Sequence, residues 1–239
     1  MCYKVTKNKT NRDGLFGLKV LITGATSGLG YSTSIALAKE GAEIIAIGRD
    51  KRRLEDLSDT IEKTIGSATL VCLDLAKQGT IEELSQKISE KFGKLNIIIH
   101  CAMPSLQMTP LSQVTLKEIE VNLLSPIMIC FRLISCFHSV LCRNPKGLFI
   151  YISDARMKKF NGPYNSAKKA CDQLLLAYQK ENKRLGVNVV IQYPEPMGTK
   201  LRRKIFPGEK TIAADVVHKE AQKIIEKILM LTGRERIIT

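Results

Sequence analysis

No C-x-x-C pair occurs in the sequence, and its cysteines are odd in number: Cys2, Cys72, Cys101, Cys130, Cys136, Cys142 and Cys171. Several sit in apolar runs, where thiols behave as small hydrophobes. A disulfide framework is not expected, and a reducing, cytoplasmic setting fits better. Histidine is scarce, and His100, His138 and His218 are too scattered to hold a metal. Residues 1–14 are polar and basic, and no apolar core follows them as a signal peptide would require. An unbroken run of about 20 apolar residues, the length of a membrane span, is also missing. The most apolar stretch, Val121 to Leu141, is interrupted by Asn122, Ser125, Pro126, Arg132 and His138. It reads as a buried or interface helix, with no membrane partner.

Acidic residues are the other shortage. The 239 residues hold 37 Lys+Arg against 23 Asp+Glu, a formal charge of +14. The excess is uneven: residues 1–120 carry 16 basic and 14 acidic side chains, residues 121–239 carry 21 and 9. A basic half suits nucleic acid, an anionic membrane surface or an acidic substrate, and lysine drift in an AT-rich genome gives the same composition. With 44% hydrophobic and 25% charged residues the chain is ordinary for a globular protein. That excludes disorder, collagen-like repeats and low complexity.

Short apolar runs alternate with longer amphipathic ones. Leu18–Thr23, Glu43–Ile47, Ala68–Cys72, Asn96–His100, Leu148–Ser153 and Val187–Gln192 are rich in Ile, Val and Leu, the pattern of parallel strands buried on both faces. Helical spacing marks roughly 28–40, 51–65, 79–92, 115–142, 163–184 and 213–230. Six such units predict an α/β fold: a doubly wound parallel sheet of Rossmann type, in three α/β/α layers. Residues 1–16 read as a basic N-terminal extension and 17–239 as one domain. The stretch 194–210, with Pro194, Pro196, Gly198, Pro207 and Gly208, reads as a long irregular loop of the kind that forms lids.

The first strand runs into Thr23-Gly24-Ala25-Thr26-Ser27-Gly28-Leu29-Gly30, and a helix follows. Glycines there let the backbone turn tightly and approach a pyrophosphate, while free helix N–H groups face its charge. The second strand ends in Gly48-Arg49-Asp50. An acidic residue at this place suits ribose hydroxyls, whereas an arginine accommodates a 2′-phosphate. Arg49 comes first, so NADP(H) is favoured over NAD(H). Further on, Tyr164-Asn165-Ser166-Ala167-Lys168 puts a tyrosine and a lysine four residues apart on one helix face. An ammonium beside a phenol stabilises the phenolate, and such a tyrosine exchanges protons near neutral pH.

In these features the chain resembles the short-chain dehydrogenase/reductase family over roughly residues 17–235. The matching residues are the glycine turn Thr23 to Gly30, Asp74, Asn122, Tyr164-x-x-x-Lys168, and Pro194 with Thr199. The resemblance implies that Tyr164 is the general acid of carbonyl reduction, that Lys168 lowers its pKa and holds the nicotinamide ribose, and that Asn122 anchors a water-linked proton relay. It implies cofactor contacts from Gly24, Thr26, Ser27, Gly28, Leu29, Gly30, Arg49, Asp74, Leu75, Ala102, Tyr164, Lys168, Pro194 and Thr199. A homodimer or homotetramer is implied too, built on helices 121–141 and 163–184.

Three departures stand out. The family's Asn-Asn-Ala-Gly is here His100-Cys101-Ala102-Met103. The lost asparagine normally braces the sheet, and Met103 is expected to crowd the adenosine ribose, so cofactor binding is expected to weaken. Asp154 of Ile152-Ser153-Asp154 stands where the family has its catalytic serine. A carboxylate there accepts only, repels an oxyanion and raises the pKa of a nearby tyrosine. Ser153 substitutes only if the strand shifts by one residue or bends. Pro194-Glu195 replaces Pro-Gly, and the family's last strand is expected to be short or absent.

Two function classes therefore stand. One is an NADP(H)-dependent oxidoreductase interconverting a carbonyl and a secondary alcohol, with Tyr164, Lys168, Asn122 and Ser153 or a protonated Asp154 in the catalytic set. The other is a catalytically impaired relative that binds cofactor or a partner. Nucleic acid is not an expected partner, since no binding module appears and aromatics do not interleave the basic residues. The charge concentrates in 143–169 and 194–210, at Arg156, Lys158, Lys159, Lys200, Arg202, Arg203 and Lys204. It favours a small anionic substrate.

Overall fold

The computed structural model describes residues 14–104, 108–156, 159–206, 208, 209, 213 and 215–236. Residues 1–13 of the expected extension, Lys158 and Lys210 lie outside the described residues.

Six parallel strands form one sheet in the order β3-β2-β1-β4-β5-β6. They are β1 Lys19–Thr23, β2 Glu43–Gly48, β3 Ser67–Cys72, β4 Ile97–His100, β5 Leu148–Ile152 and β6 Asn188–Gln192. Side chains alternate between the two faces, as the pleat demands. Val20, Ile22, Ile97, Ile99, Leu148 and Ile150 join one apolar core with Leu37, Leu57 and Ile224. Leu21, Ile98, Phe149 and Tyr151 join the other with Leu84, Phe137 and Leu175. So α1 Gly28–Lys39, α2 Lys51–Ile61 and α8 Asp215–Thr232 cover one face. The other is covered by α3 Thr80–Phe92, α5 Ser125–Cys142 and α6 Gly162–Glu181. This is the doubly wound, three-layer fold that the alternating pattern predicts. The strand order reverses between β1 and β4, and ligands of such sheets bind at that point, outside the strand C-termini.

Two segments differ from the sequence reading. The helix expected over 115–142 is broken: α4 Leu116–Ile119 passes into a π-helical turn, Glu120–Leu124, before α5. Pro126 explains part of this, since it has no N–H to donate to the carbonyl four residues back, on Asn122. The loop expected over 194–210 contains a short helix, α7 Lys200–Ile205, whose N-cap Thr199 accepts from Arg202 N at 3.2 Å.

By length and composition, Leu116–Cys142 is apolar enough to cross a membrane, with a mean hydropathy of 1.7. One side of it, with Cys130, Leu133 and Phe137, is buried in the core. Arg132 pairs with Glu82 of α3 at 2.5 Å. Leu15 is fully buried, so the packed body already includes residues of the stretch read as an extension. Gly14 N donates to Glu235 O at 2.8 Å, and Arg234 Nη1 to the carbonyls of Gly14 and Phe16.

Candidate active site

A cleft of about 520 Å³ opens at the C-terminal ends of β1, β4 and β5. All the site residues expected from the sequence line it except Asn122. The glycine turn forms one wall. Gly24 has φ +71°, and a Cβ there would lie 2.9 Å from the Ala102 backbone, so β1 and β4 close on each other only because the side chain is absent. A Cβ on Gly28 would sit 3.1 Å from Thr199 Cγ2, which brings the start of α7 over the turn. Ser27, the N-cap of α1, makes no side-chain cap, so the first N–H groups of α1 keep their capacity for a ligand. At the end of β2, Asp50 caps α2 by accepting from Arg53 N at 3.2 Å and pairs with the Arg53 side chain. Arg49, not Asp50, lines the cleft. A glycine-lined wall with free helix N–H groups fits the pyrophosphate of a dinucleotide.

The expected loss of the sheet brace is corrected by the structure. His100 Nδ1 lies 2.7 Å from Thr23 Oγ1, which also accepts from Ala102 N at 3.2 Å. His100 is buried and stacks on Tyr151 at 5.6 Å. Burial and then the Lys168 charge push its pKa down to about 3, so a neutral imidazole ties β1 to β4. Burial also pushes the neighbouring Cys101 thiol up to about 12. Met103 packs with Met108, Leu201 and Phe206 around Tyr164, so its apolar contacts lie at the tyrosine end of the cleft.

Tyr164 and Lys168, both buried, share a face of α6. Lys168 Nζ donates to Ile152 O at 2.6 Å and sits over the rings of Tyr151 and Tyr164, at 4.7 and 5.7 Å. Burial pushes the lysine down. Against the expectation that Lys168 sets a low tyrosine pKa, Tyr164 is pushed up. Burial is the main cause, followed by the Asp154 charge and by the long hydrogen bond from Tyr164 OH to Asp154 Oδ2, 3.5 Å. Arg156 and Arg202 act in the opposite sense. Asp154 also accepts on Oδ1 from Arg156 N at 3.0 Å and Nε at 3.1 Å, so it is paired. Ser153 is buried, and its Oγ has no partner among the described residues. Asn122, in the π-helical turn, lines a separate void of about 10 Å³ that Tyr164 also borders, and its Oδ1 has no described partner.

Pro194 accepts from Arg156 Nη2 at 3.3 Å, and Thr199 is committed to capping α7. Sequence reasoning missed Ser125 and Ile129, which line the cleft one and two turns beyond Val121. It also missed Leu201 and Phe206 of the α7 segment, although a Thr N-cap before helix formers was a readable start signal. Among the described residues no group of three or more His, Cys, Asp or Glu is placed to hold a metal.

The likeness to known proteins runs the same way. A family profile described as short chain dehydrogenase matches residues 18–210. An uncharacterized oxidoreductase of Listeria monocytogenes is 26% identical over 197 residues, 80% of this chain and 78% of that protein. A 3beta-hydroxysteroid dehydrogenase of Mediterraneibacter gnavus is 36% identical over 90 residues, and the chain spans only about a third of its length. The X-ray structure of an alcohol dehydrogenase from the archaeon Thermococcus sibiricus, complexed with 5-hydroxy-NADP, superposes with a TM-score of 0.74 at 25% identity, covering 93% of this chain and 95% of that one. With residues 18–210, most of its length, inside the profile, the chain belongs to the short chain dehydrogenase family.

Proposed function

We propose that the chain is an NADP(H)-dependent oxidoreductase that interconverts a carbonyl and a secondary alcohol. One observation carries this reading: Tyr164 and Lys168 lie on one face of α6 and open into the same cleft as the glycine turn. When bound, the nicotinamide supplies or takes the hydride. Tyr164 gives its phenol proton to the carbonyl oxygen in reduction and takes it back in oxidation. Lys168, fixed by the Ile152 carbonyl, keeps a cation beside the phenol. Asn122 keeps a buried Oδ1 with no described partner, suited to hold a relay water. Ser153, or a protonated Asp154, completes the catalytic set.

The cofactor contacts follow the lining: the turn from Gly24 to Gly30 with Thr26, Ser27 and Leu29 at the pyrophosphate, and Asp74 and Leu75 at the adenine. Ala102, Pro194 and Thr199 lie toward the nicotinamide. The commitment of Asp50 to α2 leaves Arg49 to meet a 2′-phosphate, which supports NADPH over NADH. The substrate is a small carbonyl or alcohol carrying negative charge. The six described cysteines are free thiols, which supports a cytoplasmic setting. Val121, Leu124, Met128 and Phe131, each at least 43% exposed and three or four apart, support a homodimer or homotetramer through this face. Titration of the protein with NADPH and NADH, followed by turnover of a carbonyl panel, tests the reading. Unchanged turnover in Tyr164→Phe would sink it.

A second reading, a relative without efficient turnover, is favoured by one contact, the Asp154 carboxylate against the Tyr164 hydroxyl. A large rate gain in Asp154→Ser would support it.

A further inference from the structure

The residue at the usual serine position does not face the cleft as a bare carboxylate. Asp154 Oδ1 takes both the backbone N–H and the Nε–H of Arg156, two residues on, and Arg156 Nη2 reaches across to the Pro194 carbonyl after β6. The guanidinium is thereby pinned from two sides, with its side chain still 34% exposed and lining the cleft beside Tyr164. Of its five N–H groups two are committed, and Nη1 makes no described contact. The other arginine lining the cleft, Arg202, already grips a carboxylate, Glu209, through both Nε and Nη2, and its side chain is only 11% exposed.

Charge counting points the same way. Along the cleft, Arg49, Arg156, Lys168, Lys200 and Arg202 stand against Asp74, Asp154 and Glu195, with the Glu209 carboxylate on Arg202, which leaves one positive charge in excess. A guanidinium binds a carboxylate in two-pronged fashion, and a second N–H reaches a neighbouring oxygen at no cost in geometry. Around the phenol, Met103, Met108, Leu201 and Phe206 are apolar.

We propose that Arg156, held by Asp154, binds a carboxylate of the substrate, and that it selects carbonyl compounds with that carboxylate next to the carbonyl and an apolar substituent. These are 2-oxo acids and their 2-hydroxy products. Asp154 is then a positioning residue for Arg156. The inference rests on the carbonyl–alcohol reading above. In reduction one hydride passes to the 2-carbon from the reduced nicotinamide, one proton passes from Tyr164 to the oxygen, and the carboxylate is unchanged.

The test pairs benzoylformate with its methyl ester, as substrates with NADPH and as ligands in calorimetry, with and without NADP+. Wild type is expected to favour the acid in kcat/KM by about 10-fold or more. Arg156→Gln should lower the acid by about 10- to 100-fold, the range of a charge-assisted, two-pronged contact, and leave the ester nearly unchanged. Arg156→Lys should recover part of the loss. Equal losses for acid and ester, or none, overturn the proposal. If neither compound turns over, the oxidoreductase reading fails for this class. Tighter binding of benzoylformate to wild type than to Arg156→Gln would then still support the Arg156 assignment, and equal binding would overturn it.

Discussion

Thr23 Oγ1 and His100 Nδ1 meet at 2.7 Å across the two central strands, directly beneath the glycine turn. Burial, and then the Lys168 charge, keep His100 neutral at this contact down to about pH 3. The unfolded chain takes up the proton near its ordinary value of 6.5, so between these values it binds the proton that the folded chain refuses. Stability should therefore fall as the pH drops below 6.5, by at most about 1.4 kcal/mol per unit from this residue. Denaturant titrations at pH 7, 6 and 5 check this: His100→Asn should flatten the acid slope and keep the fold, and an unchanged slope would refute the assignment.

Asp154 and Tyr164 predict a pH profile. Burial and the Asp154 charge both favour the protonated phenol, so it stays a poor base until the medium is strongly alkaline. Alcohol oxidation should keep rising with pH across the alkaline range. In Asp154→Asn the carboxylate charge is gone, and the rise should level off at lower pH. A profile identical to wild type would mean that Asp154 does not act on Tyr164.

Gly24 should tolerate no side chain. Its φ of +71° and the Ala102 backbone 2.9 Å from a would-be Cβ are separate penalties. Gly24→Ala should cost about 1–3 kcal/mol of stability and abolish NADPH binding, read by thermal melting and by the fluorescence of bound NADPH.

Arg49 should decide between cofactors. Loss of a charge-assisted contact to a phosphate costs roughly 1.5–3 kcal/mol, so Arg49→Ala should weaken NADPH by about 10- to 100-fold and leave NADH almost unaffected. Equal weakening of both would place the arginine elsewhere on the dinucleotide.

The exposed row on α5 and the turn before it should be an interface between copies. Met128 and Phe131 are 52% and 49% exposed. Met128→Glu with Phe131→Glu should shift sedimentation to the monomer without lowering the melting temperature of the subunit core. A wild type that sediments as a monomer would rule the interface out.

Strands and motifs were legible because their signals are local. Val20-Leu21-Ile22 is apolar on both sides since helices cover both faces, and the glycine turn needs its spacing whatever surrounds it. What escaped was set by partners distant in sequence. His100 reads as the loss of an asparagine until Thr23, 77 residues earlier, is beside it. The Tyr-Lys spacing suggests an activated phenol, yet burial and Asp154 decide the direction of its shift. The π-helical turn at Asn122 is invisible to periodicity, which hardly distinguishes one added residue per turn, although Pro126 marks where the ladder breaks.

The order of the strands divides labour along the chain. Everything proposed to grip the pyrophosphate and adenine end of the dinucleotide comes from residues up to and including Leu75, and the proton-handling pair and the arginines around it come from after Ser153. The two groups meet only across the gap between the diverging halves of the sheet. Changes in the later half can therefore retune which molecule is transformed while the earlier half goes on holding the pyrophosphate and adenine end of the coenzyme, and grafting one half onto a relative's other half is the natural unit for redesigning this protein.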